Sequence, residues 1–171
     1  EDFMIADTSD KADNFYSIYS KSINEHWLSA TKGRVYKFDG NSFLKFQFDT
    51  NSWYIDPFVK DAAGSIYFET RVGPQIEMHK DNGTFWQTVC SANLTSSYFH
   101  MENIGNQIFN IQGDDIQFFN GSGFTNFLHV GNFIILDLEL CGSSPENIFM
   151  SGFDLLGDHK DYIFNYNGIK W

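Results

Sequence analysis

One turn recurs four times along this chain of 171 residues, and its spacing limits the possible folds more than any other feature. In the stretch VYKFDGNSF (35–43) a short apolar strand runs into Asp39-Gly40, and an aromatic residue follows three positions after the glycine. The same order returns in IQFFNGSGF (116–124) and in YIFNYNGIKW (162–171). A looser copy, IEMHKDNGTFW (76–86), carries one extra residue before its turn. Aligned on the glycine, the turns centre on Gly40, Gly83, Gly121 and Gly168. They are preceded by Asp39, Asn82, Asn120 and Asn167, and followed three residues on by Phe43, Trp86, Phe124 and Trp171. The spacings are 43, 38 and 47 residues. Self-similarity at such a period is the signature of a repeat architecture, in which each unit buries its apolar face against its neighbour.

Each repeat reads as four strands. The first runs are 15–21, 53–60, 97–103 and 133–140, and the second are 26–30, 65–71, 107–111 and 147–152. The third strand enters the signature turn, and the fourth leaves it as 43–49, 86–92 and 124–130. These are short runs rich in Phe, Tyr, Ile and Val, bounded by Gly, Asn, Asp and Ser, and no window carries a helical stripe. Asx and Gly both tolerate the positive φ of a tight hairpin, and this makes the turn chemistry intelligible. The fourth copy stops at Trp171, where its outgoing strand would begin, while a spare apolar stretch precedes the first copy. The expectation is that residues 2–6 pair with the third strand of the last repeat, close the ring and leave no open edge.

Composition narrows the partners. A net charge of −11, with 11 Lys and Arg scattered among 22 Asp and Glu, argues against a nucleic-acid partner, whose phosphate backbone needs clustered basic residues, and disfavours an anionic membrane surface. No apolar run approaches the roughly 18 residues of a membrane-spanning helix. Aromatics make up 18% of residues, including 19 Phe, as in packed β-structure. Beginning at Glu1 with no leader in view, the chain reads as a mature form or a fragment. Sequons occur at Asn82, Asn93 and Asn120, and tight-turn chemistry accounts for the first and last without glycosylation.

These copies resemble the blades of β-propellers, and 142–171 looks like blades of bacterial exported or surface propeller proteins. The second copy, with Asp81, Asn82, Gly83 and Trp86, also resembles the Asp-box of sialidase-type propellers. The resemblance implies an all-β fold: a β-propeller of four four-stranded blades in one domain, 1–171. The blades fall at about 10–50, 51–93, 94–131 and 132–171 plus 2–6. The alternative is a segment of a larger propeller, completed by further sequence or by a second copy. Four blades match hemopexin-like domains in number, but Cys90 and Cys141 are internal rather than terminal, and free thiols are expected on the second and fourth blades.

Candidate chemistry is sparse. A sialidase site needs three arginines to grip a carboxylate, and this chain has Arg34 and Arg71 alone. Histidines 26, 79, 100, 129 and 159 show no metal-ligand spacing, and His79 and His129 read as surface or interblade residues. Asp7, Asp10 and Asp13, and more so Asp154, Asp158 and Asp161, form oxygen-rich clusters of the kind calcium takes, although a solvated acidic loop has the same composition. No other cofactor is expected. Exposed aromatics that stack on sugar faces would be Trp27, Trp53, Tyr54 and Tyr98, set against the rule that aromatics alternating along strands form core. The resulting expectation is a non-catalytic ligand-binding or scaffold module of an exported or cell-surface protein, with a carbohydrate or a protein as ligand. The competing class is a glycoside hydrolase or lyase with a loop-built acidic site, at the irregular stretch 153–160 if anywhere.

Overall fold

The computed structural model describes residues 14–48, 54–55, 57–93, 99–112, 115–129, 135–154 and 160–171. Within them the chain is all-β, in four antiparallel sheets. The first sheet is a meander of β1 (Phe15–Ser22), β2 (Glu25–Ala30), β3 (Arg34–Phe38) and β4 (Phe43–Gln47). In the second, β5 (Tyr54–Ile55) and β6 (Val59–Lys60) both pair with β7 (Ile66–Val72), followed by β8 (Gln75–Asp81) and β9 (Trp86–Asn93). The third is β10 (Phe99–Ile104), β11 (Gln107–Gln112), β12 (Asp115–Phe119) and β13 (Phe124–His129). The fourth holds β14 (Ile135–Ser144), β15 (Asn147–Asp154) and β16 (Asp161–Tyr166). Residues 2–6, the expected closing strand, lie outside the described residues. The first strand of the second repeat, expected unbroken over 53–60, is two short pieces. Pro57 lies between them, has no N–H to give to the ladder, and interrupts the pairing with β7, which resumes at Val59.

The signature turns are built alike. Each is a four-residue loop rather than the two-residue hairpin turn that Asn-Gly usually marks, with Phe38 paired to Phe43 and Phe119 to Phe124 across it. The glycines carry φ of 94°, 97°, 99° and 84° at Gly40, Gly83, Gly121 and Gly168. The preceding Asx residue does not share the positive φ. It acts through its side chain, a correction to the expectation from sequence. Asp39 Oδ1 accepts from the amides of Asn41 and Ser42 at 2.9 and 2.8 Å, and Asn82 Oδ1 from Thr84 and Phe85 at 3.2 and 2.9 Å. Asn120 Oδ1 takes Ser122 and Gly123 at 3.0 and 3.1 Å, and Asn167 Oδ1 takes Ile169 and Lys170, both at 3.1 Å. The turn amides, which have no strand partner, are thereby satisfied. The backbone bonds to Asp39 lower its carboxyl pKa below the usual range, as acceptance by the ionised form requires.

Three apolar clusters lie between successive sheets. Trp27 and Val35 of the first sheet meet Phe58, Ile66 and Phe68 of the second. Val59, Tyr67 and Met78 of the second meet Met101 and Ile108 of the third. Phe109, Ile111 and Ile116 of the third meet Leu140, Ile148 and Met150 of the fourth. The second strands of the second and third sheets are thus covered on both faces, and burial of each large side chain there contributes about 2–3 kcal/mol. The aromatic after each turn packs backwards. Trp86 meets Phe46 of the preceding sheet edge-on at 6.4 Å, and Trp171 and Phe124 pack against their own interface clusters. Phe43, in the first of the described sheets, packs on Phe38 at 4.9 Å. Cys90 on β9 and Cys141 on β14 are both free, and burial pushes the Cys90 thiol up.

Candidate functional site

Antiparallel order sets the N-terminal ends of β1, β5, β10 and β14 beside the C-terminal ends of β2, β7, β11 and β15, away from the signature turns. Contacts between sheets show that all four share this polarity. Near the turn end, the Asn103 side chain clasps Lys60, donating to its carbonyl at 2.6 Å and accepting from its amide at 2.9 Å. There too Lys37 Nζ lies 3.9 Å from Asp81 of the next sheet. Toward the opposite end, Gln112 Nε2 donates to Asn93 O at 3.2 Å, and His100 of β10 approaches Glu139 of β14. One end of the assembly is therefore committed to turns, and the other is where varied chemistry gathers.

Between the two ends, the first strands of the third and fourth sheets bring together one imidazole and two carboxylates. His100 Nε2 lies 3.8 Å from Glu102 and 3.4 Å from Glu139, and all three side chains are partly open to solvent. Such a group can exchange hydrogen bonds with hydroxyls or amides of a ligand. On the outer strands of the third sheet, His129 Nδ1 contacts Asp115 Oδ1 at 2.9 Å, and Asn126 donates to the other carboxylate oxygen at 3.3 Å. Arg71, one residue before the end of β7, pairs with Tyr54, and Arg34 opens β3, with Nε donating to Gln47 Oε1 at 3.4 Å.

The sequence-derived candidates fare unevenly. Trp27 is fully buried, with Lys37 Nζ lying 4.9 Å from its ring centroid, and its ring offers no face to a sugar. It is a wall of the first interface, because its face of β2 packs on Phe58, Ile66 and Phe68 of the second sheet. Tyr54 opens β5 at the chemistry-bearing end, and Trp53 and Tyr98 lie outside the described residues. Of the calcium candidates, Asp154 ends β15 and Asp161 opens β16, so they flank one connection, while Asp7, Asp10, Asp13 and Asp158 lie outside the described residues. Among the described residues no group of three or more His, Cys, Asp or Glu is placed to hold a metal ion. His129 is a surface residue and His79 an interblade one. His79 sits between Phe48 and Phe68 at 4.7 and 5.0 Å, and both its nitrogens meet threonine hydroxyls, Thr70 at 2.8 Å and Thr88 at 3.1 Å. The His100–Glu102–Glu139 group escaped the sequence reading. Its only trace there is the alternation of His100 and Glu102 on a first strand, because Glu139 belongs to the next repeat.

No protein-family model matches the chain, and no curated protein matches it. Among solved structures, it is similar to a catalytically inactive virginiamycin B lyase from Staphylococcus aureus with quinupristin. That match has a TM-score of 0.58 at 9% identity, over 89% of this chain and 55% of the lyase chain. It is also similar to the extracellular domain of a one-component system of B. thetaiotaomicron, with a TM-score of 0.53 at 13% identity, over 90% of this chain and 24% of that one. Both neighbours are propeller-like, and the likeness is one of fold. The chain spans about half the length of the first and a quarter of the second.

Proposed function

We infer that this chain is a non-catalytic binding or scaffold segment of a propeller-like ring, presenting its ligand-contacting residues at the end opposite the signature turns. The observation that carries the reading is the division of labour between the two ends. The turn end is pinned by four equivalent Asx turns and by the Asn103 clasp, while His100, Glu102 and Glu139 lie along the first strands away from those turns, and Arg71 lies near the far end of β7. Rigid loops and strand ends around a ring suit recognition, and the ligand class is a carbohydrate or a protein. An exported or cell-surface setting is supported by the acidic composition and by the extracellular-domain neighbour. Calcium, should the chain take it, falls to the set Asp154, Asp158 and Asp161 by its oxygen-rich composition. Of the two ring arrangements, a closed ring of four and a segment of a larger one, the exposed apolar flank of the fourth sheet supports the second.

A glycan-array screen of the purified chain, with and without calcium, tests the reading. Retention of one coherent glycan class is expected, with recovered glycans uncleaved and retention lowered by His100→Ala. Cleaved glycan would overturn the non-catalytic assignment. A blank array followed by a blank pull-down would overturn the binding assignment altogether.

A further inference from the structure

The interface between the second and third sheets departs from the repeat. Its residue five before the signature glycine is Met78, where the other copies have Val35, Ile116 and Ile163. Met78 pairs with Cys90 on the outer strand, whereas Val35 pairs with Phe46 and Ile116 with Leu128. On the facing sheet, Met101 takes the first-strand position that Ile18 and Leu140 hold in the first and fourth sheets. Sulfur thus replaces hydrocarbon at three places, and the three meet in one cluster. Met78 and Met101 are 1% and 0% exposed, and Cys90, half-buried, packs against that cluster. Two polar side chains join them. Asn110 pairs with Met101 and shares its face, at a position where the other sheets have Leu28, Phe68 and Met150. It is fully buried, and neither its Oδ1 nor its Nδ2 has a hydrogen-bond partner among the described residues. A carboxamide is costly in such a place unless something meets it. Glu69 pairs with Met78, is also buried, and adds a carboxylate to the facing row.

The register brings these groups face to face. The Tyr67–Phe119 ring contact lies on the turn side of them, and the bond from Gln112 to Asn93 lies on the other side. Between the two contacts, the row Glu69–Met78–Cys90 of the second sheet meets the row Met101–Asn110 of the third. Neighbours paired along a row stand about 5 Å apart at Cβ. We propose that this interface binds a soft monovalent metal ion, copper(I), through the thioethers of Met78 and Met101 and the thiolate of Cys90. Thioether and thiolate sulfur suit that ion, and unbranched methionine arms can turn onto it without moving the strands. On binding, the Cys90 S–H bond breaks, its proton passes to solvent and a sulfur–copper bond forms, with no change of oxidation state. Asn110 donates from Nδ2 to the thiolate, and the Glu69 carboxylate makes the interface favour a cation over an anion. Cys90, open at the rim, gives the ion its way in. His, Cys, Asp and Glu alone assemble no metal group among the described residues, and the thioethers supply what they lack. The site is separate from His100, which lies on the opposite face of β10 from Met101.

Anaerobic titration of the full chain with copper(I), in a Cys141→Ser background and against a chromophoric copper(I) chelator, tests the proposal. One ion per chain is expected, with X-ray absorption showing three sulfur neighbours around the copper. Met78→Leu and Met101→Leu conserve side-chain volume, and each should weaken binding by about tenfold or more. Cys90→Ser should abolish it. Failure to take up copper(I) overturns the proposal. So does uptake indifferent to both methionine substitutions, which would reduce Cys90 to an ordinary thiol. A single sulfur neighbour in the absorption spectrum overturns it as well, and that measurement is made with the cluster intact, whatever the variants do to folding.

Discussion

At each signature turn the glycine and the residue before it do separate jobs. The glycine supplies a positive φ that costs an L-residue about 1–2 kcal/mol, and the Asx side chain collects two amides the strands leave over. A methyl at Gly83 or Gly121 would meet open space, so alanine there should cost only the backbone term. At Gly40 and Gly168 the new Cβ would also lie 3.0 Å from Asn24 Cβ and 3.1 Å from Glu146 Cβ. Urea unfolding of the four Gly→Ala variants should therefore rank Gly40 and Gly168 as clearly more costly than Gly83 and Gly121, and a reversed order would refute the account. The glycine's part was legible in sequence, because only that residue takes such a φ freely. The Asx part was not, since tolerance of positive φ and acceptance of amides call for the same residue, and loop length decides between them.

Among the elements, β8 carries the feature with the clearest consequence. Its His79 is held neutral between two aromatic rings, and burial lowers its pKa to about 4, below the 6.5 of an exposed imidazole. Below pH 6.5 the unfolded chain therefore takes up a proton that the folded one refuses. Stability should fall between about pH 6.5 and pH 4, by roughly 3 kcal/mol at most, and this contribution should be flat above pH 6.5. Urea midpoints across pH 4–7.5 should show that slope in the wild type and a shallower one in His79→Gln, which keeps a polar group for the threonines. An unchanged slope would place the acid sensitivity elsewhere. The strand assignment of His79 follows from local pattern, but Phe48 reaches it from another sheet, and no local pattern reports a neighbour across an interface. The same limit hid the His100–Glu139 approach and left Trp27 open between a sugar-stacking aromatic and core. The break at Pro57, by contrast, was written in the chain.

For the whole molecule, the repeat period announces stacked sheets and their turns, and the structure shows three interfaces joining four of them. Period alone does not say whether the ends of such a stack meet, because closure depends on the angle between neighbouring sheets. The proposal made above is that the four sheets form an arc of a larger ring, with Phe149 and Ile163 exposed on the fourth. Intrachain distances between spin labels test it most directly, in a background lacking Cys90 and Cys141 and diluted with unlabelled protein. Ile23, Asn106 and Glu146 are exposed at equivalent first hairpins of the first, third and fourth sheets. The pair Asn106→Cys with Glu146→Cys calibrates the separation of adjacent sheets. The pair Ile23→Cys with Glu146→Cys should give a distinctly longer distance. If the two distributions coincide, the first and fourth sheets are neighbours, the chain closes on itself as a ring of four, and the open-arc account fails.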